Sequence, residues 1–321
     1  MAGKKVNKYK IKDKKKGFGK LKFNFKRNEK LVSHHNMVDI SNILSNFSIE
    51  VMPRTAEKVS NFESILPKGT NVYIAHLEGT PIESMIKTAA RLHKLDFNVV
   101  PHFPARLIKN KLILDDWIKR YADLGVNKAL VLAGSPLKAT GNFKSSMDLL
   151  STGLYEKYNF VEIFCAGHPE GNKDIDFDGT DKNLMSALKW KNDFFKNTRI
   201  KWSLTTQFCF DLKPIKVWEK RLFEEGIRVP INIGVAGPAK LQTMIKYALL
   251  CGVGPSIRVL EKRAKDLTKL LLPYSPDNFL SDLTDYKLSN KTSNINSIHF
   301  FPLGGIQKTT EFVSNFIKKK L

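Results

Sequence analysis

Long apolar runs, paired cysteines and nucleotide-binding glycines are all missing from this 321-residue chain. No stretch of about 18 apolar residues occurs, so no transmembrane helix is expected. The lysine-rich N-terminus is not followed by an apolar segment, so it does not read as a secretory signal. Cys165, Cys209 and Cys251 are odd in number and far apart, with neither zinc-ligand spacing nor a Cys-x-x-Cys pair. They read as core thiols in a reducing, cytoplasmic compartment, and no metal site is expected. No Gly-x-Gly-x-x-Gly joins the first strand-like run to a helix, which argues against a dinucleotide-binding open sheet. Arginine is scarce beside lysine.

What is present is positive charge, with a formal net charge of +22. Residues 1–30 hold 13 lysines and arginines against Asp13 and Glu29, so half of the surplus sits there. This segment has little periodicity and reads as a basic N-terminal extension, disordered or loosely packed through Phe18, Phe23 and Phe25. Residues 31–321 then form the catalytic domain. Nucleic acid is an unlikely partner for that body, which carries no interleaved basic–aromatic sheet and no recognition-helix pattern.

Hydrophobic residues make up 42% of the chain, enough for a sizeable core. Short β-like runs alternate with helical patterns. The strand-like runs are 47–53, 71–77, 97–103, 128–134, 160–167, 201–208, 229–237 and 297–305, each ending near glycine, proline or a polar cluster. Between them lie stripes such as Ile82, Met85, Ile86, Ala89 and Leu92, and a helix stopped by Gly125. Two or three helices are expected over 239–287. Eight β/α alternations favour a closed (β/α)₈ TIM barrel, an α/β fold whose site-bearing face is the C-terminal end of the strands.

Period-2 alternation then assigns faces. Phe47, Ile49 and Val51 share the face that packs on helices, which leaves Ser48, Glu50 and Met52 for the lumen. Asn98, Val100 and His102 share a face on the third strand. On the sixth, Ser203, Thr205 and Gln207 lie opposite Trp202, Leu204, Thr206 and Phe208. Glu50, His102 and Gln207 are thereby expected in one mouth, joined by His168 and Glu170 from the turn after the fifth strand. Burial is expected to raise the pKa of Glu50 by desolvation, which suits a general acid. From the pattern alone the reading stops at a barrel with a polar, acidic site.

The ordered motifs resemble the methylenetetrahydrofolate reductase family over about residues 45–316. They are "SIEVMP" on the first strand, "VVPHFP" on the third, "LVLAGSP" on the fourth and "AGHPEG" on the fifth. "TTQFCFD" on the sixth, "VPINIGVAGP" on the seventh and "IHFFPL" on the eighth complete the series. The resemblance implies an oxidoreductase that reduces 5,10-methylenetetrahydrofolate to 5-methyltetrahydrofolate, with hydride passing from NADH or NADPH to FAD and then to the folate. It implies Glu50 as the acid and Gln207, with Phe208 and Phe210, as substrate-binding residues. It implies His102, Gly134, Ser135, Gly167, His168, Pro169, Glu170 and Lys191 as cofactor-binding residues.

The chain departs from the family pattern on the cofactor side. Ala133, Gly134 and Ser135 stand where the family has Arg-Gly-Asp, His168 and Asn172 replace a tyrosine and a histidine, and Trp190 replaces an arginine. Two routes therefore stay open, one through FAD as in a flavoprotein and one with hydride passing directly from the nicotinamide to folate. A non-redox tetrahydrofolate carrier or methyl-transfer subunit is the alternative from another class. The basic surface would help capture polyanionic folates. The sequence leaves the direction open, toward methionine biosynthesis or backward in one-carbon metabolism, and with it the choice of NADH or NADPH and whether a homo-oligomer forms.

Overall fold

The structure is a computed structural model that describes residues 46–251 and 273–320, together with positions 43–44, 258 and 260–261. The basic extension over 1–30 lies outside the described residues. In chain order the elements begin with β1 (Ser48–Val51), α1 (Pro53–Ala56), β2 (Asn71–Ile74), α2 (Ile82–Lys94), β3 (Asn98–Pro104), α3 (Lys111–Asp123) and β4 (Lys128–Leu132). They continue with α4 (Ser146–Leu150), α5 (Leu154–Lys157), β5 (Glu162–Gly167), α6 (Lys182–Lys196), β6 (Lys201–Cys209) and α7 (Leu212–Glu224). The last are β7 (Ile231–Ala236), α8 (Leu241–Leu250), α9 (Asp277–Ser289), β8 (Ile295–Phe301) and α10 (Ile306–Lys320).

The strands form a closed barrel in sequence order, β1 through β8, every pair parallel. The TIM barrel expected from the alternation is the fold observed, and each expected strand overlaps an observed one. Where a strand is shorter than its β-like run, local chemistry ends it. Pro53 opens α1 directly after β1, a position where its fixed φ and missing N–H cost nothing. Pro101 falls inside β3, an unusual place for proline. It is tolerated because β3 pairs with β2 only as far as Pro101 and with β4 from His102 onward.

Two apolar compartments follow from alternation. The larger lies between strands and helices and takes Ile49, Val51, Met85, Leu92, Ile118 and Ile163 among many others. The smaller fills the lumen with Tyr73, Val100, Leu130 and Phe164. Apart from His102, the lumen is apolar on this β2–β5 side, and it is polar on the other, where Ser48, Thr205, Asn232, Ser297 and His299 are buried. Those polar groups satisfy one another: Ser297 Oγ donates to Asn232 Oδ1 at 2.7 Å, and Tyr73 reaches across to Thr205 Oγ1 at 3.2 Å.

Helix starts are fixed by side chains. Asn110 caps α3 by accepting from Ile113 N, and Ser145 and Asp148 form a reciprocal capping box at α4. Asp211, the last residue of the "TTQFCFD" motif, caps α7 by accepting from Lys213 N. That aspartate therefore has a structural role. Buried Asp176 accepts from Asn183 N and Leu184 N, which fixes the β5–α6 loop against the first turn of α6.

Glu219 on α7 ties the helix layer to the last strand. Its carboxylate accepts from Tyr286 Oη at 2.7 Å, Ser293 Oγ at 2.7 Å and Asn294 N at 2.6 Å. Three donors converge on one buried charge, so truncation leaves them unpaired. Glu219→Ala is expected to destabilise the barrel by roughly 3 kcal/mol. An unchanged urea unfolding midpoint would refute this.

Candidate active site

The C-terminal ends of the strands surround an open cavity of about 1570 Å³. Glu50 enters it from β1 because Ile49 and Val51, its neighbours in sequence, pack outward against the helices. Its Oε2 lies 3.5 Å from His102 Nε2 and 3.9 Å from His299 Nε2. On the far side of the His299 ring, Nδ1 is 2.8 Å from Ser48 Oγ. The Ser48 hydroxyl has a second acceptor in the Ile298 carbonyl, at 3.5 Å. Tyr73 floors the group, with its ring centroid 4.4 Å from that of His299 and 6.2 Å from that of His102.

The geometry corrects the expected protonation of Glu50. Burial does raise its pKa, but the two imidazole rings beside it, His299 and His102, favour the carboxylate, and the net direction is down. Glu50 is thus a carboxylate in the ligand-free chain. Burial pushes His102 down to about 4 against the opposing pull of Glu50, so this ring is neutral near pH 7. Ser48 and His299 were not singled out from the sequence. The signal was there, since Ser48 shares the Glu50 face and His299 sits on the eighth-strand motif.

Gln207 and Phe208 both line the cavity, with Glu50 and His102. The expectation that Phe208 faces away from Gln207 is incorrect. β6 gains one residue relative to β7 between Thr205 and Phe208, and this bulge breaks the alternation. Phe208 packs inward at 5.3 Å from Phe301, while Cys209 turns outward into the helix-side core. Phe210 does not reach the cavity; it packs on Phe208 and Tyr274 beneath α8. Cys251, expected in the core, is exposed and borders the cavity.

Gly134, Ser135, His168, Pro169 and Glu170 line the cavity too, but Gly167 and Lys191 do not. Gly167 faces the helices, where a Cβ would come within 2.8 Å of Trp218 Cη2. Lys191 is buried on α6, close enough to His168 and Cys165 for its charge to act on both. Burial first, and then that charge, push His168 down to about 4. His76, also missed in the sequence, lines the cavity with Nε2 at 3.0 Å from the Thr80 carbonyl and its ring against Trp117.

The side chains at these positions do not form a cationic cradle for a flavin dinucleotide. A diphosphate needs converging cations or free backbone amides. At the end of β4 the side chains are Ala133 and Ser135. The nearby Arg106 guanidinium is spent on loop carbonyls, 3.0 Å from Pro136 O and 3.2 Å from Lys144 O. Lys191 lies behind the wall, and the turn after β5 presents one lysine, Lys173, between Glu170 and Asp174. Charge around the whole cavity balances: Lys58, Arg106, Lys173 and Lys308 face Glu50, Glu170, Asp174 and Glu311. The surplus positive charge is not gathered around the cavity among the described residues. Among those residues, no group of three His, Cys, Asp or Glu side chains could hold a metal ion, and no helix is long and apolar enough to cross a membrane.

No family model matches the chain. It is similar to methylenetetrahydrofolate reductase 1 of Schizosaccharomyces pombe (strain 972 / ATCC 24843), at 27% identity over 151 residues. That match takes in 44% of this chain and only 23% of the relative's length. Among solved structures, an uncharacterized protein from Clostridium thermocellum that binds two copies of 5-methyl-5,6,7,8-tetrahydrofolic acid superposes with a TM-score of 0.54. The likeness covers 87% of this chain and 99% of that one at 13% identity, and establishes the shared barrel fold.

Burial depresses His76, His102 and His168, and the two that fall to about 4, His102 and His168, set an acid limit. Below their unfolded pKa near 6.5, the unfolded chain takes up protons that the folded chain refuses until about 4. Stability is therefore full above about pH 6.5 and falls as the pH drops toward 4. His168→Asn is expected to shallow that fall, as read from urea midpoints across the window. A slope identical to that of the parent chain would contradict the assignment for His168.

Proposed function

We propose that this cavity reduces 5,10-methylenetetrahydrofolate to 5-methyltetrahydrofolate, with NADH or NADPH as a second substrate and no bound flavin. The observation that carries this reading is the placement of Glu50 between two lumen histidines, in the same cavity as the Gln207 amide. The similarity to a fungal methylenetetrahydrofolate reductase supports the same reaction class. So does the barrel shared with a protein described as binding 5-methyltetrahydrofolate.

The chemistry asks Glu50 for one proton. Protonating N10 breaks the bond from N10 to the bridging carbon and leaves an N5 iminium. The reduced nicotinamide supplies the hydride that turns this carbon into a methyl group. The balance is methylenetetrahydrofolate, NAD(P)H and a proton in, methyltetrahydrofolate and NAD(P)⁺ out. Glu50 starts as a carboxylate, so it must be loaded. Ser48 and His299 offer a way to hold that proton. If Glu50 carries it and donates to His299 Nε2, Nδ1–H donates to Ser48 and the hydroxyl turns to the Ile298 carbonyl. A bound substrate that excludes water from the cavity further favours the neutral acid. Hydrophobic walls from Leu132, Ala166 and Phe208 suit flat rings, and the volume leaves room for a second one beside the pterin.

The net downward shift of Glu50 also favours a second reading, a folate carrier that performs no redox step. Turnover separates the two. The parent protein should oxidise a reduced nicotinamide only when methylenetetrahydrofolate is present, and it should purify without visible flavin absorbance. Glu50→Gln should lower kcat by about 10²-fold or more while 5-methyltetrahydrofolate still binds. Undiminished turnover in that variant removes Glu50 from the acid role. Folate binding without any nicotinamide oxidation by the parent selects the carrier, and a tightly retained flavin ends the direct route.

A further inference from the structure

The bulge in β6 is built from three residues that no motif explains together. Thr206 Oγ1 accepts from Gly234 N at 2.8 Å and donates to the Gln207 carbonyl at 2.9 Å. One hydroxyl thereby replaces the ladder bond that the extra residue displaces. Gly234 is required on the facing strand. A Cβ there would lie 2.4 Å from the Thr206 carbonyl oxygen and 2.6 Å from Gln207 C and O, all of them backbone atoms that cannot step aside. Glycine in a strand interior marks such close backbone approach.

The bulge also decides what the Gln207 side chain can offer. Its Oε1 accepts from Phe208 N at 3.1 Å. A backbone N–H can only donate, so the atom facing it is the amide oxygen, and the NH₂ group is left for the cavity. We infer that Thr206 and Gly234 are positioning residues that hold Gln207 as a hydrogen-bond donor, so that the site selects ligands presenting a carbonyl or ring-nitrogen acceptor. One of the two lone pairs on the amide oxygen is thereby spent on the chain itself. This rests on the folate reading for the identity of the ligand, but the clamp itself can be tested without one.

The chain contains three glutamines, Gln207, Gln242 and Gln307, so selective ¹⁵N-glutamine labelling yields three side-chain amide pairs. The Gln207 pair is identified by its loss in Gln207→Met. In the full-length parent protein it should be dispersed and rigid. In Thr206→Val it should move to the position of a freely rotating amide, and Thr206→Ser should restore it. Binding of 5-methyltetrahydrofolate should weaken about tenfold in Thr206→Val. That loss should vanish when Gln207 is already Met, because the clamp acts through Gln207. Gly234→Ala should behave like Thr206→Val; if it does not fold, the threonine pair decides. Unchanged Gln207 signals in Thr206→Val, or equal losses of affinity in both backgrounds, overturn the inference. A parent protein that binds no folate removes the functional reading, while the amide signals still decide the clamp.

Discussion

A closed ring of eight parallel strands leaves every second side chain nowhere to go but the lumen, and one of those on β1 is a carboxylate. A buried charge is costly unless it is paired and hydrogen-bonded. Here its polar neighbours are the rings of His102 on β3 and His299 on β8, with Ser48 behind the second ring. The remaining polar groups of the lumen extend that arrangement. Tyr73 is held in place by Thr205, Thr205 by Asn232, and Asn232 by Ser297. The opposite wall is apolar, so the site is a polar half-lining within a packed barrel.

The electrostatics of this site run against the composition of the chain. A protein with net charge +22 keeps a cavity lined by four cations and four carboxylates among its described residues. Burial drives His102 and His168 neutral, and the buried Lys191 stands outside the cavity wall. Recognition in the cavity therefore relies on directed hydrogen bonds and flat apolar walls. Long-range attraction, if it matters, acts elsewhere on the surface.

Much of this was legible in the sequence because it follows from simple periodicities. Ile49 and Val51 flanking Glu50 determine which way the carboxylate points, and the same rule places His102. What was not legible arises where periodicity breaks or where distant strands meet. The single added residue in β6 reverses Phe208 and Cys209, and nothing in "TTQFCFD" announces it apart from the glycine on the facing strand. The protonation of Glu50 depends on His299, which lies 249 positions further along the chain. A desolvation argument made on β1 alone gives the wrong direction for that reason. Gly167 and Lys191 sit at the expected places in sequence but on the helix side of the wall, where Trp218 and Cys165 occupy their surroundings.

The contact between Ser48 and His299 spans 251 residues, and it joins the first strand of the barrel to the last. Ring closure and the meeting of Glu50 with His299 are consequently the same event. While the chain is being synthesised, Glu50 emerges early and keeps its water until β8 arrives and delivers the imidazole. Such long-range pairing is intrinsically slow to form. A partly folded barrel, however much helix it contains, has an ordinary solvated glutamate at position 50, and only the completed ring sets that side chain between two imidazoles.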